Sequence, residues 1–142
     1  SAVITNTTQI DIGKTESPTP GIEQLIPELT GAGIDVIGFR DAPRLPWDPV
    51  ACLEERSREQ CTVPTRGIYG DPSMNTALAE SARRPGTFHP IDLAGYFCPD
   101  GECVPVIGNV YVYMDPIHPT QTYVRSLAPA VDQQLTASGW RW

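Results

Sequence analysis

With 142 residues, 40% apolar and 19% charged, the chain has the size and composition of one folded domain rather than of a disordered acidic tail. Its net charge of −7 provides no basic patch to displace phosphate counterions, which argues against a nucleic-acid partner. No apolar run reaches the roughly 20 residues that a membrane helix needs.

The elements follow in chain order. Residues 2–5 read as a short strand, as if the sequence were cut from something larger, and residues 10–20 as loop. Ile22, Leu25, Ile26 and Leu29 recur at helical spacing, so 21–32 is predicted to be a helix stopped by Gly31 and Gly33. Ile34 to Phe39 reads as a buried strand, which makes strand–helix–strand the parallel unit of an α/β sheet. A proline-rich loop runs from Arg40 to Pro49, and a short helix is expected over 50–60. Asp71-Pro72 supplies a cap and a first-turn proline for a helix over 72–84. Phe88 to Leu93 reads as a further strand. Residues 103–107 and 110–113 flank Gly108-Asn109 as a hairpin, with Pro105 suited to an edge. One last helix is expected over 120–137, where Tyr123, Leu127, Val131 and Leu135 stand four apart. The tail holding Trp140 and Trp142 is expected to be loosely held. Fifteen prolines and twelve glycines predict long ordered loops between short elements.

Four cysteines form two local pairs, Cys52 with Cys61 and Cys98 with Cys103. Such pairs suit small disulfide loops in an oxidising compartment. Pro99-Asp100-Gly101-Glu102 is a turn sequence that brings the second pair together. Zinc is the rival reading, but Cys-x-x-Cys knuckles are absent and two histidines make a three-ligand site hard to complete. No metal or cofactor is expected.

Asp115-x-x-His118 is the sharpest chemical feature. A carboxylate three residues before a histidine can reach its Nδ1–H, fix the tautomer and leave Nε2 free to take a proton. Pro116 and Pro119 stiffen the turn. It lies at a strand-to-helix junction, where α/β sheets place ligands. The structural alternative is that Asp115 caps the turn and His118 the last helix. His89 with Asp92 could form a second pair, although a structural role for His89 is favoured. Tyr111, Tyr113 and Tyr123 read as packing residues.

In order, Cys98-Pro-Asp-Gly-Glu-Cys103, the hairpin ending in Val112-Tyr113, Asp115-Pro-Ile-His118-Pro-Thr120 and Arg125-Ser-Leu-Ala-Pro129 resemble the C-terminal part of SGNH domains fused to type-three membrane acyltransferases. Arg40-Asp41-Ala-Pro43-Arg44 is similar to a string after a central strand of those domains, and Cys52 and Cys61 fit their second cysteine pair. The resemblance spans about 20–140. It implies a flavodoxin-like, three-layer α/β/α fold with a parallel sheet. It also implies a Ser-His-Asp triad with His118 as general base and Asp115 orienting it, and Asn6, after the first strand, as an oxyanion donor. The implied reaction moves an acyl group, acetyl or similar, from a membrane acyltransferase domain of the same polypeptide to hydroxyls of a cell-envelope glycan or glycolipid, outside the cytoplasm.

The serine departs from the pattern. Nothing upstream of Ile22 reads as the family's Gly-Asp-Ser element, and Gly70-Asp71-Pro72-Ser73 is a near-miss with an extra proline. The sequence is therefore expected to be one partial SGNH domain over 1–142, without its N-terminal serine block and inactive alone. A missing N-terminal fragment or a second copy would then cover the open sheet edge. A secreted carbohydrate esterase of the same fold, or a non-catalytic SGNH-like binding module, are the alternatives.

Overall fold

The computed structural model describes residues 1–141. Three strands, β1 (Ala2–Asn6), β2 (Asp35–Phe39) and β3 (Phe88–Ile91), form a parallel sheet in that order. The helices are α1 (Ile22–Gly31), α2 (Pro49–Glu55), α3 (Met74–Ser81), α4 (Ala94–Phe97), α5 (Gln121–Ser126) and α6 (Ala128–Ala137).

Strand alternation sends neighbouring residues to opposite faces, and each face has its own core. Val36 and Phe88 face α1 and α3, packing with Ile22, Ile26 and Leu78. Ile37 and Ile91 face the other way, against Leu135 of α6. The result is the expected three-layer α/β/α arrangement. Ile26 and Val36 are fully buried, and burial of side chains of this size stabilises by about 1.5–3 kcal/mol each. Gly38 stands where the sheet approaches its neighbours most closely. A Cβ there would lie 2.6 Å from the Phe88 ring and 2.7 Å from Thr7 Cγ2. A third core at the carboxyl ends of the strands gathers Ile10, Leu45, Tyr69, Phe97, Tyr113 and Tyr123 from the loops, α4 and α5.

The two edges of the sheet differ. On β3, Pro90 has no amide to offer, and the Gln134 side chain occupies both backbone groups of Asp92: it accepts from the amide at 2.7 Å and donates to the carbonyl at 2.8 Å. Among the described residues, β1 pairs with β2 alone. Ile4 is in register with Ile37, so it shares the α6 face of the sheet, yet it is 70% exposed. An apolar groove of about 530 Å³ lies against α6, walled by Phe39, Leu93, Val124, Val131 and Leu135.

Several local expectations are corrected. Ser73, not Asp71, caps α3: its hydroxyl accepts from the Asn75 amide while Asp71 and Pro72 stay in the preceding turn. The last helix is two helices, because Pro129 in the first turn of α6 has no amide to continue α5; Leu127 closes one and caps the other. The four-residue spacing across that break still buries Tyr123, Leu127 and Leu135. The hairpin is reduced to Val106–Ile107 with Val110–Tyr111, since Cys103 pairs instead with Val63. The helix expected over 50–60 ends at Glu55, and a separate 3-10 turn carries Cys61. Trp140 is not loose: it packs on the α6-face core and meets His89 edge-on, with ring centroids 5.1 Å apart. Trp142 lies outside the described residues. Among the tyrosines, Tyr113 and Tyr123 are buried, whereas Tyr111 is 52% exposed.

Both expected disulfides are formed, Cys52–Cys61 and Cys98–Cys103. No helix among the described residues is long and apolar enough to cross a membrane.

Candidate active site

The Asp115–His118 turn is built by its own hairpin. Met114 donates its amide to the His118 carbonyl at 2.9 Å, and Tyr113 bridges to Pro119. Thr120 ends the turn and starts α5: its hydroxyl donates to the Tyr111 carbonyl at 2.6 Å and accepts from the Tyr123 amide. One backbone bond reaches the turn from the loop after β2, where Leu45 donates its amide to the Pro116 carbonyl at 2.8 Å.

Within this frame the two side chains meet. Asp115 Oδ2 lies 2.8 Å from His118 Nδ1, while Asp115 Oδ1 accepts from the amides of Ile117 and His118, each at 2.8 Å. The bond from His118, followed by the Ile117 amide, holds the Asp115 carboxyl below its ordinary range. An ionised carboxylate only accepts, so the proton between them sits on Nδ1, and in the neutral imidazole the lone pair is then on Nε2. The imidazole is 62% exposed. Asp115 therefore does cap the turn, and in the same geometry its second oxygen meets the histidine; Thr120, not His118, caps α5.

Among the described residues, no serine hydroxyl hydrogen-bonds to His118. Ser73 serves its helix and stands on a cleft of about 900 Å³ bordered by Arg40, Arg66, Tyr69, Asp71 and Asp92. Asn6 lies at the carboxyl end of β1, in register with Phe39, and is exposed. His89 does not pair with Asp92. It is buried at the opposite end of its strand, with Nδ1 2.8 Å from the Ser138 hydroxyl and Nε2 3.5 Å from Asp35. Among the described residues no cluster of three or more metal-ligating side chains exists.

The network around Arg40 was not predicted. The guanidinium forms two hydrogen bonds to Glu16, one to Asp92 at 2.9 Å and one to the Gly70 carbonyl at 2.6 Å, and lies 4.4 Å over the Tyr69 ring. Burial opposes its charge, but Glu16 and Asp92 outweigh burial and hold its pKa above the ordinary value. The partners lie 24 to 52 residues away, a separation that no local pattern reveals.

The chain matches a family model over residues 2–133, that of the SGNH domain fused to AT3 domains. It belongs to that family. No curated protein and no solved structure matches it. Membership supports an esterase- or acyltransferase-type function for this SGNH domain, and the described fusion supports a membrane acyltransferase as its companion domain. The two disulfides of the SGNH domain fit an oxidising, extracytoplasmic setting.

Proposed function

We propose that this SGNH domain carries the base half of an acyl-transfer site, working outside the cytoplasm and tethered through a membrane acyltransferase domain of the same polypeptide. The observation that carries this reading is the 2.8 Å contact between His118 Nδ1 and Asp115 Oδ2, with Nε2 left open. His118 Nε2 takes the proton of a serine hydroxyl as the serine oxygen attacks the acyl carbonyl. It returns that proton to the departing group, leaving an acyl-serine. It then takes the proton of an acceptor hydroxyl on a cell-envelope glycan or glycolipid as that oxygen attacks the acyl-serine carbonyl, and gives the proton to the departing serine oxygen, so the acyl group ends on the acceptor and the serine hydroxyl is restored. Asp115 holds the tautomer. Asn6, beside the open edge at the carboxyl end of β1, is the proposed oxyanion donor.

The serine comes from a segment outside this chain, so the 1–142 unit is one partial domain. Two observations support such a segment. β1 has an unpaired edge, and Ile4, on the α6 face of that strand, is left 70% exposed. An added strand satisfies the first, and an amphipathic helix following it covers the second.

Hydrolysis uses the same groups, and the exposure of the imidazole favours access of water as a second reading. The deciding experiment is His118→Ala in the protein that carries both domains, with the acylated glycan quantified. Acylation is expected to fall by at least about a hundredfold. Unchanged acylation would overturn the catalytic reading in favour of a non-catalytic binding module.

A further inference from the structure

In the Arg40-Asp41-Ala-Pro43-Arg44 string, the Arg40 side chain is taken up by Glu16, Asp92 and Gly70, while Asp41 ties the loop after β2 to other segments through side chain and backbone together. Its carboxylate accepts from the Ile10 amide through Oδ2 and from the Ala42 amide through Oδ1, each at 3.0 Å. Its own amide donates to the Thr8 hydroxyl at 2.9 Å, and its carbonyl accepts from the Tyr69 hydroxyl at 2.7 Å. Arg44 stands 3.8 Å from Oδ2. Thr8, Ile10 and Tyr69 are all buried. One residue thus fastens three segments: the stretch after β1, its own loop, and the loop carrying Tyr69.

What that loop then does is specific. Four residues on, Leu45 is fully buried among the carboxyl-end core, between Pro43 and Pro46, which restrict the backbone on either side. Its amide holds the Pro116 carbonyl, one residue after Asp115 and two before His118. The turn's other backbone hydrogen bonds are to its own hairpin. A hairpin on local bonds keeps its shape but can tilt as a body, and the Leu45–Pro116 bond ties it to the end of the sheet.

We propose that Asp41 is a positioning residue for the acyl-transfer reaction, fixing the loop from Arg40 to Leu45 so that the Leu45 amide holds the Asp115–His118 turn at the carboxyl end of the sheet. This rests on the reading of His118 as the base. Asp41→Asn keeps the size but offers one acceptor where two amides need one each, and sets an amide hydrogen against one of them. A displacement of about 1 Å at a reacting group costs roughly a hundredfold.

The test uses the protein carrying both domains, with three variants. Asp41→Asn is expected to lower kcat about tenfold to a hundredfold while leaving KM for the acceptor within about twofold. In hydrogen-exchange mass spectrometry it is expected to speed exchange of the peptides covering 40–48 and 112–120 together. Tyr69→Phe removes one bond to the Asp41 carbonyl and keeps the ring, so it is expected to give the same pattern, weaker. It reads the proposal even where Asp41→Asn folds poorly. His118→Ala separates the two claims. If it abolishes transfer while the Asp41 and Tyr69 variants keep wild-type kcat, or loosen 40–48 without 112–120, the positioning role is overturned and the base survives. If His118→Ala leaves transfer intact, the reading beneath both has failed.

Discussion

Glu16 holds Arg40 by two hydrogen bonds in a place where neither is solvated: the Glu16 side chain is 2% exposed and that of Arg40 7%. Glu16 also accepts from the Gly70 amide at 2.8 Å, so one carboxylate organises both a buried cation and a loop backbone. Removing Glu16 leaves the buried guanidinium to Asp92 and the Gly70 carbonyl and strands the Gly70 amide, a loss below the full cost of an unpaired buried charge, about 3–5 kcal/mol at its upper limit. Glu16→Ala is expected to lower stability by less than that limit in chemical denaturation. Replacing Glu16 and Arg40 together with apolar residues is expected to cost less than the single change.

The Asp115–His118 contact separates orientation from basicity. Asp115→Asn keeps the shape but can turn an amide donor toward Nδ1, favouring the tautomer whose Nε2 carries the proton and cannot accept another. Acyl transfer is expected to drop by about 10⁴, the size of effect seen when an aspartate of a serine triad is amidated. Product formation by the two-domain protein, at saturating donor, measures it.

Two aspartates give pH dependences of opposite sign. Asp115 is held below its ordinary pKa, so the fold favours its charged form. Its contribution to stability is present above the unfolded carboxylate range and is lost as pH falls through the folded value. Asp41 is pushed above its ordinary pKa, chiefly by burial. Its contribution is present below the unfolded value and is lost as pH rises through the folded one. Denaturation curves at several pH values between 2 and 6 are expected to show Asp115→Asn removing part of the acid-induced loss. The same curves are expected to show the difference between wild type and Asp41→Asn moving against the wild type as pH rises.

Gly38→Ala tests how closely the sheet packs. The added methyl would meet the Phe88 ring and Thr7 at under 3 Å, and crowding of this kind costs about 1–3 kcal/mol. A fall in thermal midpoint, with activity of the surviving folded protein unchanged, is expected.

The open edge of β1 makes a prediction about solution behaviour. The 142-residue chain alone is expected to pair with a second copy or retain a partner segment, and Ile4→Lys is expected to suppress this, since an inward-facing charge discourages strand addition. Light scattering measures it; a stable wild-type monomer without a partner contradicts it.

How far the sequence led can be traced through particular residues. The apolar spacing of Ile22, Ile26 and Leu29 located α1 to within a residue, and the local cysteine spacing paired all four thiols, because these signals act over one or two turns. The Asp115-x-x-His118 spacing showed that the two side chains could meet, and only the folded turn shows that they do. Ser73 was misread because Asp71-Pro72 is an equally good start signal, and only the observed geometry shows which residue caps. The last helix read as one because Tyr123, Leu127 and Leu135 keep their spacing through the break at Pro129. The Arg40 network and the reach of Asp41 to Ile10 and Thr8 were invisible, since their partners meet only after the sheet has formed. His89 found Asp35 rather than Asp92 because strand register, not sequence proximity, sets its neighbours.

The unequal edges of the sheet have a consequence for how copies of this chain meet. With Gln134 seated on Asp92 and no amide at Pro90, β3 offers little to an incoming strand, whereas β1 offers its whole length. Growth from one side only cannot propagate: two chains joined β1 to β1 exhaust the reactive edge of each and form a closed two-fold pair. Pairing through that edge would stop at two chains, where a sheet open on both sides would string into fibres.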